Sequence, residues 1–83
     1  MTLELYQEFA LTRDLPEYQL RAGDIVTLVD FVDHPSGGEE GYLLEVFNAV
    51  GESLTVIAVP ISTVEVLRPD EILTVRFLAA KAG

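Results

Sequence analysis

The chain has no cysteine, no tryptophan and a single histidine among its 83 residues. Without thiols there is neither a disulfide to staple the fold nor a thiolate to hold zinc or an iron–sulfur cluster. Basic residues are scarce: five Lys and Arg stand against fourteen Asp and Glu, a formal net charge of -9. A surface of that sign repels a phosphate backbone, so nucleic acid is not an expected partner. Long apolar runs are also missing. None approaches the ~18 residues that a membrane-spanning helix needs. The start of the chain is acidic where a secretory leader would be basic, so a cytoplasmic protein is the expectation.

What is present is apolar residues, 49% of the chain. At this length there is room for one domain and one core. A domain of this size buries only roughly 60–65% of the surface its unfolded chain exposes. With no disulfide or metal to help, stability has to come from packing or from association between copies.

The rest of the chain is organised around residues 15–30, a loop, a tight turn at Ala22-Gly23-Asp24 and a long apolar strand. Pro16 fixes its own φ and biases Leu15 towards an extended backbone. Gly23 stands where the turn needs a left-handed residue. Residues 25–32 give the longest β-branched run, with faces Ile25/Thr27/Val29/Phe31 and Val26/Leu28/Asp30/Val32. Both are largely apolar. A strand of an antiparallel sheet with one wet face alternates cleanly, so something has to cover the second face of this one.

Around it the pattern predicts strands over 8–12, 42–47, 53–59 and 64–67. A glycine-containing hairpin lies at 48–52, and a single helical turn at Ile61-Ser62-Thr63, with Ser62 and Thr63 bonding the local backbone. Pro60 and Pro69 stop the strands before them, because proline cannot donate to a ladder. Five short strands bury a core only by curling around it, so the expected fold is all-β, a small five-stranded SH3-like barrel over residues 1–69. Residues 70–83 form a C-terminal extension that packs on the barrel or on a neighbouring subunit. Two readings of it stand: a strand, favoured by Ile72, Thr74 and Val75, or a helix opened by the acidic pair Asp70-Glu71.

Candidate chemistry is thin. His34 lies beside Asp33 and near Glu39 and Glu40, but one imidazole and scattered carboxylates match no metal-site spacing. The loop at 33–41 is glycine-rich and expected to be solvated. Ser36 has no scaffold to hold it against His34. Ser36-Gly37-Gly38 lacks the lysine of a phosphate cradle. Asp14, Glu17 and Asp24 could supply paired carboxylates, yet Asp24 is better used to bond the turn backbone and Glu17 to face water. Tyr6, Tyr18 and Tyr42 could form a peptide-binding surface, with Tyr42 in the core edge and Tyr18 packing the loop as the plainer alternative. No enzyme activity and no cofactor is expected.

The best-supported site is apolar. Phe31, Leu43, Phe47, Leu73, Val75 and Phe77 exceed what one small core absorbs, and large exposed apolar patches mark association surfaces. They predict a homo-oligomer, with closure of the tail over its own barrel as the alternative and exchange of the tail between subunits uniting the two.

The segments Leu11-Thr12, Asp14-Leu15-Pro16-Glu17-Tyr18, Leu20-Arg21-Ala22-Gly23-Asp24, Gly51-Glu52, Leu67-Arg68-Pro69 and Asp70-Glu71-Ile72-Leu73-Thr74-Val75-Arg76 occur in that order. Together they resemble a bacterial family of small proteins, the domain of unknown function 4926. The resemblance runs from about Phe9 to Leu78 and implies an SH3-like barrel with no established activity. The genes that accompany such proteins imply an antitoxin-like, immunity-like or scaffolding role beside another protein. Val26 stands where many relatives have glycine, and Thr74 where many have histidine, so a role of that histidine is not shared here. The loop at 33–41 is also longer than the resemblance leads one to expect.

Overall fold

A computed structural model describes residues 5–33 and 39–78; His34, Ser36 and the glycines beside it lie outside the described residues. Five strands form one antiparallel sheet: β1 (Glu8–Leu11), β2 (Ile25–Val32), β3 (Gly41–Phe47), β4 (Ser53–Pro60) and β5 (Val64–Val66). Their spatial order is β4-β3-β2-β1-β5. One-turn 3-10 helices at Pro16–Tyr18 and Ile61–Thr63 precede β2 and β5. The chain is therefore all-β, as its alternation and turn chemistry predict.

The connection between the last two strands dictates the curvature. β4 and β5 are the two edges of the sheet, yet only Ile61–Thr63 separates them in sequence. In a flat sheet those edges lie about 19 Å apart, four strand spacings. Four Cα steps reach at most about 14 Å. The sheet has to bend, and the short helix straps the bend: Ile61 N–H donates to the Glu40 carbonyl at 3.0 Å and Thr12 N–H to the Thr63 carbonyl at 2.8 Å. Ser62 does not bond its local backbone. Its amide and hydroxyl both donate to the Glu39 carboxylate, and its carbonyl accepts from the Thr12 hydroxyl at 2.9 Å. No ladder joins β4 to β5 among the described residues, so the sheet curls without closing.

One core fills the concave side. Phe9 and Leu11 of β1, Val26 and Leu28 of β2, Tyr42, Leu44 and Val46 of β3, and Ile57 and Val59 of β4 pack together, with Val64 of β5 against them. Leu15 and Leu20 come from the loop before β2 and bridge each other by two backbone hydrogen bonds. Phe9 stacks on Tyr42, ring centroids 6.1 Å apart.

The faces of β2 are not those that strict alternation assigns. Leu28 lies opposite Leu44, whereas Asp30 lies opposite Leu43, so Val29 is a bulge. Beyond it the phase flips. Phe31 comes opposite the core residue Tyr42 and meets its ring edge-on at 5.9 Å, while Asp30 joins the outer face. A bulge inserts one unpaired residue and bends its strand, which suits a sheet that must curl.

The extension also differs from expectation. Its described part, residues 70–78, forms neither a strand ladder nor a helix. Residues 71–76 line a groove together with Ala10, Ile25 and Thr27, on the convex side. Asp70 and Glu71 do not open a helix: Glu71 instead turns back on Arg68, its amide donating to the Arg68 carbonyl and its carboxylate accepting the Arg68 N–H.

Candidate functional site

The site begins with the turn that sequence singled out. Gly23 adopts φ +92°, outside the range that L side chains prefer. Asp24 Oδ2 accepts the Arg21 N–H at 2.8 Å, and Asp14 Oδ1 accepts the Ala22 N–H at 2.9 Å. The turn is pinned to the end of β1 by Gly23 N–H to the Leu11 carbonyl and Leu11 N–H to the Asp24 carbonyl. Gln19, just before it, is left-handed at φ 62° and aims its carbonyl at the same place.

Into this socket comes Arg76 from the tail. Its Nε donates to Asp24 Oδ1 at 2.9 Å and its Nη2 to Asp24 Oδ2 at 2.5 Å, a side-on bidentate pair. Nη2 also donates to the Gln19 carbonyl at 3.2 Å, and Nη1 to the carbonyl of Phe77. The two side chains are only 26% and 20% exposed. Burial acts to raise the Asp24 pKa. The guanidinium bonds of Arg76, the Arg21 amide and the charges of both arginines outweigh it and hold the carboxyl below its ordinary value. Reciprocally, the bond to Asp24 raises the pKa of Arg76 against the opposing effect of its own desolvation. In the described residues these are the only hydrogen bonds from residues 72–78 to residues 5–66.

Held at that point, the tail arches over the convex face and leaves a groove of about 1060 Å³ beneath it. Ala10 and Ile25 of the sheet, Phe47, Leu54, and Leu73 and Val75 of the tail are among the residues that line it, together with polar ones such as Glu8 and Thr27. So Phe47, Leu73 and Val75, three of the six apolar residues picked from sequence, line one feature. The others are dispersed. Phe31 sits at the rim of the core beside Tyr42, Leu43 is half-buried on the convex face, and Phe77 projects from the tail. Ile72 is 87% exposed, Val75 86% and Phe77 87%.

Sequence reasoning read Asp24 as a backbone cap, and it is one. Its second role, anchoring Arg76, was missed. The available signal was an arginine set among apolar residues in a chain with only five basic side chains. The other proposed carboxylates take structural or solvated positions: Asp14 caps the turn and Glu17 is exposed. Tyr42 is in the core edge, as expected, and burial with the neighbouring Glu40 charge raises its pKa. No group of three or more His, Asp or Glu side chains among the described residues is placed to hold a metal, and no helix there is long and apolar enough to cross a membrane.

Comparison with known proteins gives one match. A family model described as a domain of unknown function (DUF4926) covers residues 5–69, which takes in all five strands and the Gly23 turn and stops short of Arg76. No curated protein and no solved structure matches the chain. Since the model spans most of the chain, the protein belongs to the DUF4926 family.

Proposed function

We propose that this protein is a non-catalytic interaction module that works by apolar association, with a second copy of itself as a partner. The observation that carries this reading is the tail: Ile72, Val75 and Phe77 present almost their whole side chains to water on a segment held by one arginine. Burying such a side chain fully contributes about 1.5–3 kcal/mol. Three from each of two copies contribute about 9–18 kcal/mol, against an association cost of about 4–15 kcal/mol. A dimer is within reach of the tail alone, and Phe47, Leu43 and Phe31 add to the surface available. A neutralising or scaffolding role towards another protein uses the same surface.

Light scattering coupled to size exclusion tests it. The wild type is expected to elute as an oligomer and Phe77→Asp as a folded monomer, because Phe77 buries almost nothing within one copy; the melting temperature is expected to depend on protein concentration only in the wild type. A single 9 kDa species at every concentration of wild type sinks the self-association reading. A second reading, a small molecule or peptide seated under the tail, is supported by the volume of the groove. Fragment screening by NMR with shifts confined to Ala10, Ile25 and Leu54 supports that alternative.

A further inference from the structure

We infer that the Arg76 anchor is exchanged between two copies, so that the tail of each chain seats its arginine in the Asp24 socket of the other. This rests on the self-association reading above and names the contact that makes it specific.

The socket is complete before the tail arrives. Asp24 is oriented by the Arg21 amide, and the turn is fixed by Asp14 and by the end of β1. The Gln19 carbonyl is aimed by a left-handed backbone of its own. None of these contacts involves residues 70–78, so every copy presents the same preorganised acceptor for a guanidinium. In a chain of net charge -9, few side chains can answer it. Arg76 is the one seated there, and it stands between two large apolar residues, Val75 and Phe77.

Within one copy the anchor leaves much undone. The backbone of residues 72–75 makes no hydrogen bond among the described residues. Ile72, Val75 and Phe77 stay in water. Among the described residues no strand pairs with the outer side of the long edge β4, on which Leu54, a residue of the groove lining, and Val56 are about half exposed. A tail arriving from a second copy reproduces all of the Arg76 contacts and also brings a β-favouring, apolar segment to these surfaces. The swap is symmetric and closes on itself, which limits the assembly to a dimer. Residues 67–70, with Pro69, are the hinge.

Charge reversal in mixtures tests this. In Asp24→Arg and in Arg76→Asp, each chain by itself faces like charges at the anchor, whether the tail docks at home or away. Mixed in equal amounts, the two variants restore attractive pairs only between different chains. The expected result is two monomeric variants that form a heterodimer on mixing, seen by native mass spectrometry, and a doubly reversed chain that dimerises alone. If circular dichroism shows that a reversal does not fold, Asp24→Asn with Arg76→Gln restores one exchanged pair in the mixture and is read in the same way. A mixture that stays monomeric while the wild type dimerises overturns the exchange and leaves self-association standing. Single variants that dimerise as the wild type does also overturn it. A wild type that is monomeric throughout removes both.

Discussion

Gly23 carries a turn that three other residues then depend on. A Cβ placed there meets no atom within 4 Å, so the only cost of a side chain is the backbone at φ +92°. Gly23→Ala is expected to lower stability by about 1–2 kcal/mol, measured by urea unfolding, with Gly23→Asn costing less because asparagine tolerates positive φ. Leu28 and Leu44 face each other at the centre of the core with no exposed surface. Either Leu→Ala change removes buried methylenes from a small core and should cost about 2–5 kcal/mol. Asp24 adds a pH dependence whose sign follows from its depressed pKa. A carboxyl that ionises more readily folded than unfolded stabilises the fold above its unfolded value of about 3.9. That contribution fades as the pH falls through the folded value. Titration of the Asp24 carboxyl by ¹³C NMR should give a midpoint below the ordinary range in the wild type. In Arg76→Gln it should rise, as burial loses its main opponent. An unmoved midpoint would show that the guanidinium is not what holds Asp24.

At the scale of the elements, the strands were legible because two local signals agreed. Alternation set where each strand runs, and Gly23, Gly51 and the prolines set where it stops. Asn48 shows the same agreement in the hairpin: its side-chain carbonyl accepts the amides of Val50 and Glu52 while Gly51 takes φ +86°. What alternation could not show is the bulge at Val29. Inserting one residue into the ladder leaves composition unchanged but moves Phe31 from the outer face to the core rim. The doubly apolar pattern of β2 was the trace of that flip, together with a convex face half-covered by the tail. The described part of the tail takes neither the strand nor the helix that its residues suggested. Whether a segment pairs depends on a free neighbouring edge, which is a tertiary property and not a local one. The arginine anchor also spans 52 residues in sequence, beyond any local signal. Since among the described residues only Arg76 ties residues 72–78 to the rest of the domain by hydrogen bonds, a chain ending at Pro69 should keep its far-UV spectrum. Compared with the monomeric Phe77→Asp chain, its unfolding free energy should fall by no more than about 3 kcal/mol, the worth of the charge-assisted bonds of Arg76. Collapse of that truncated chain would mean that the tail is part of the core.

For the molecule as a whole, the net charge and the apolar surface act against each other. Two copies of -9 repel as they approach. That repulsion is screened over about 10 Å at 0.1 M salt and about 3 Å at 1 M. The apolar contacts are not weakened by salt, and the Arg76–Asp24 pair is about three-quarters and four-fifths covered at its two ends, so it is screened less than an exposed pair. Raising salt therefore removes more repulsion than attraction. The dissociation constant for self-association is expected to fall several-fold between 0.05 M and 0.5 M sodium chloride, measured by sedimentation velocity. A partner held by the acidic surface shows the reverse slope, because its attraction is what salt screens. The sign of the salt dependence thus separates the two kinds of contact: weaker self-association at high salt would mean that charge and not the apolar tail holds the copies together.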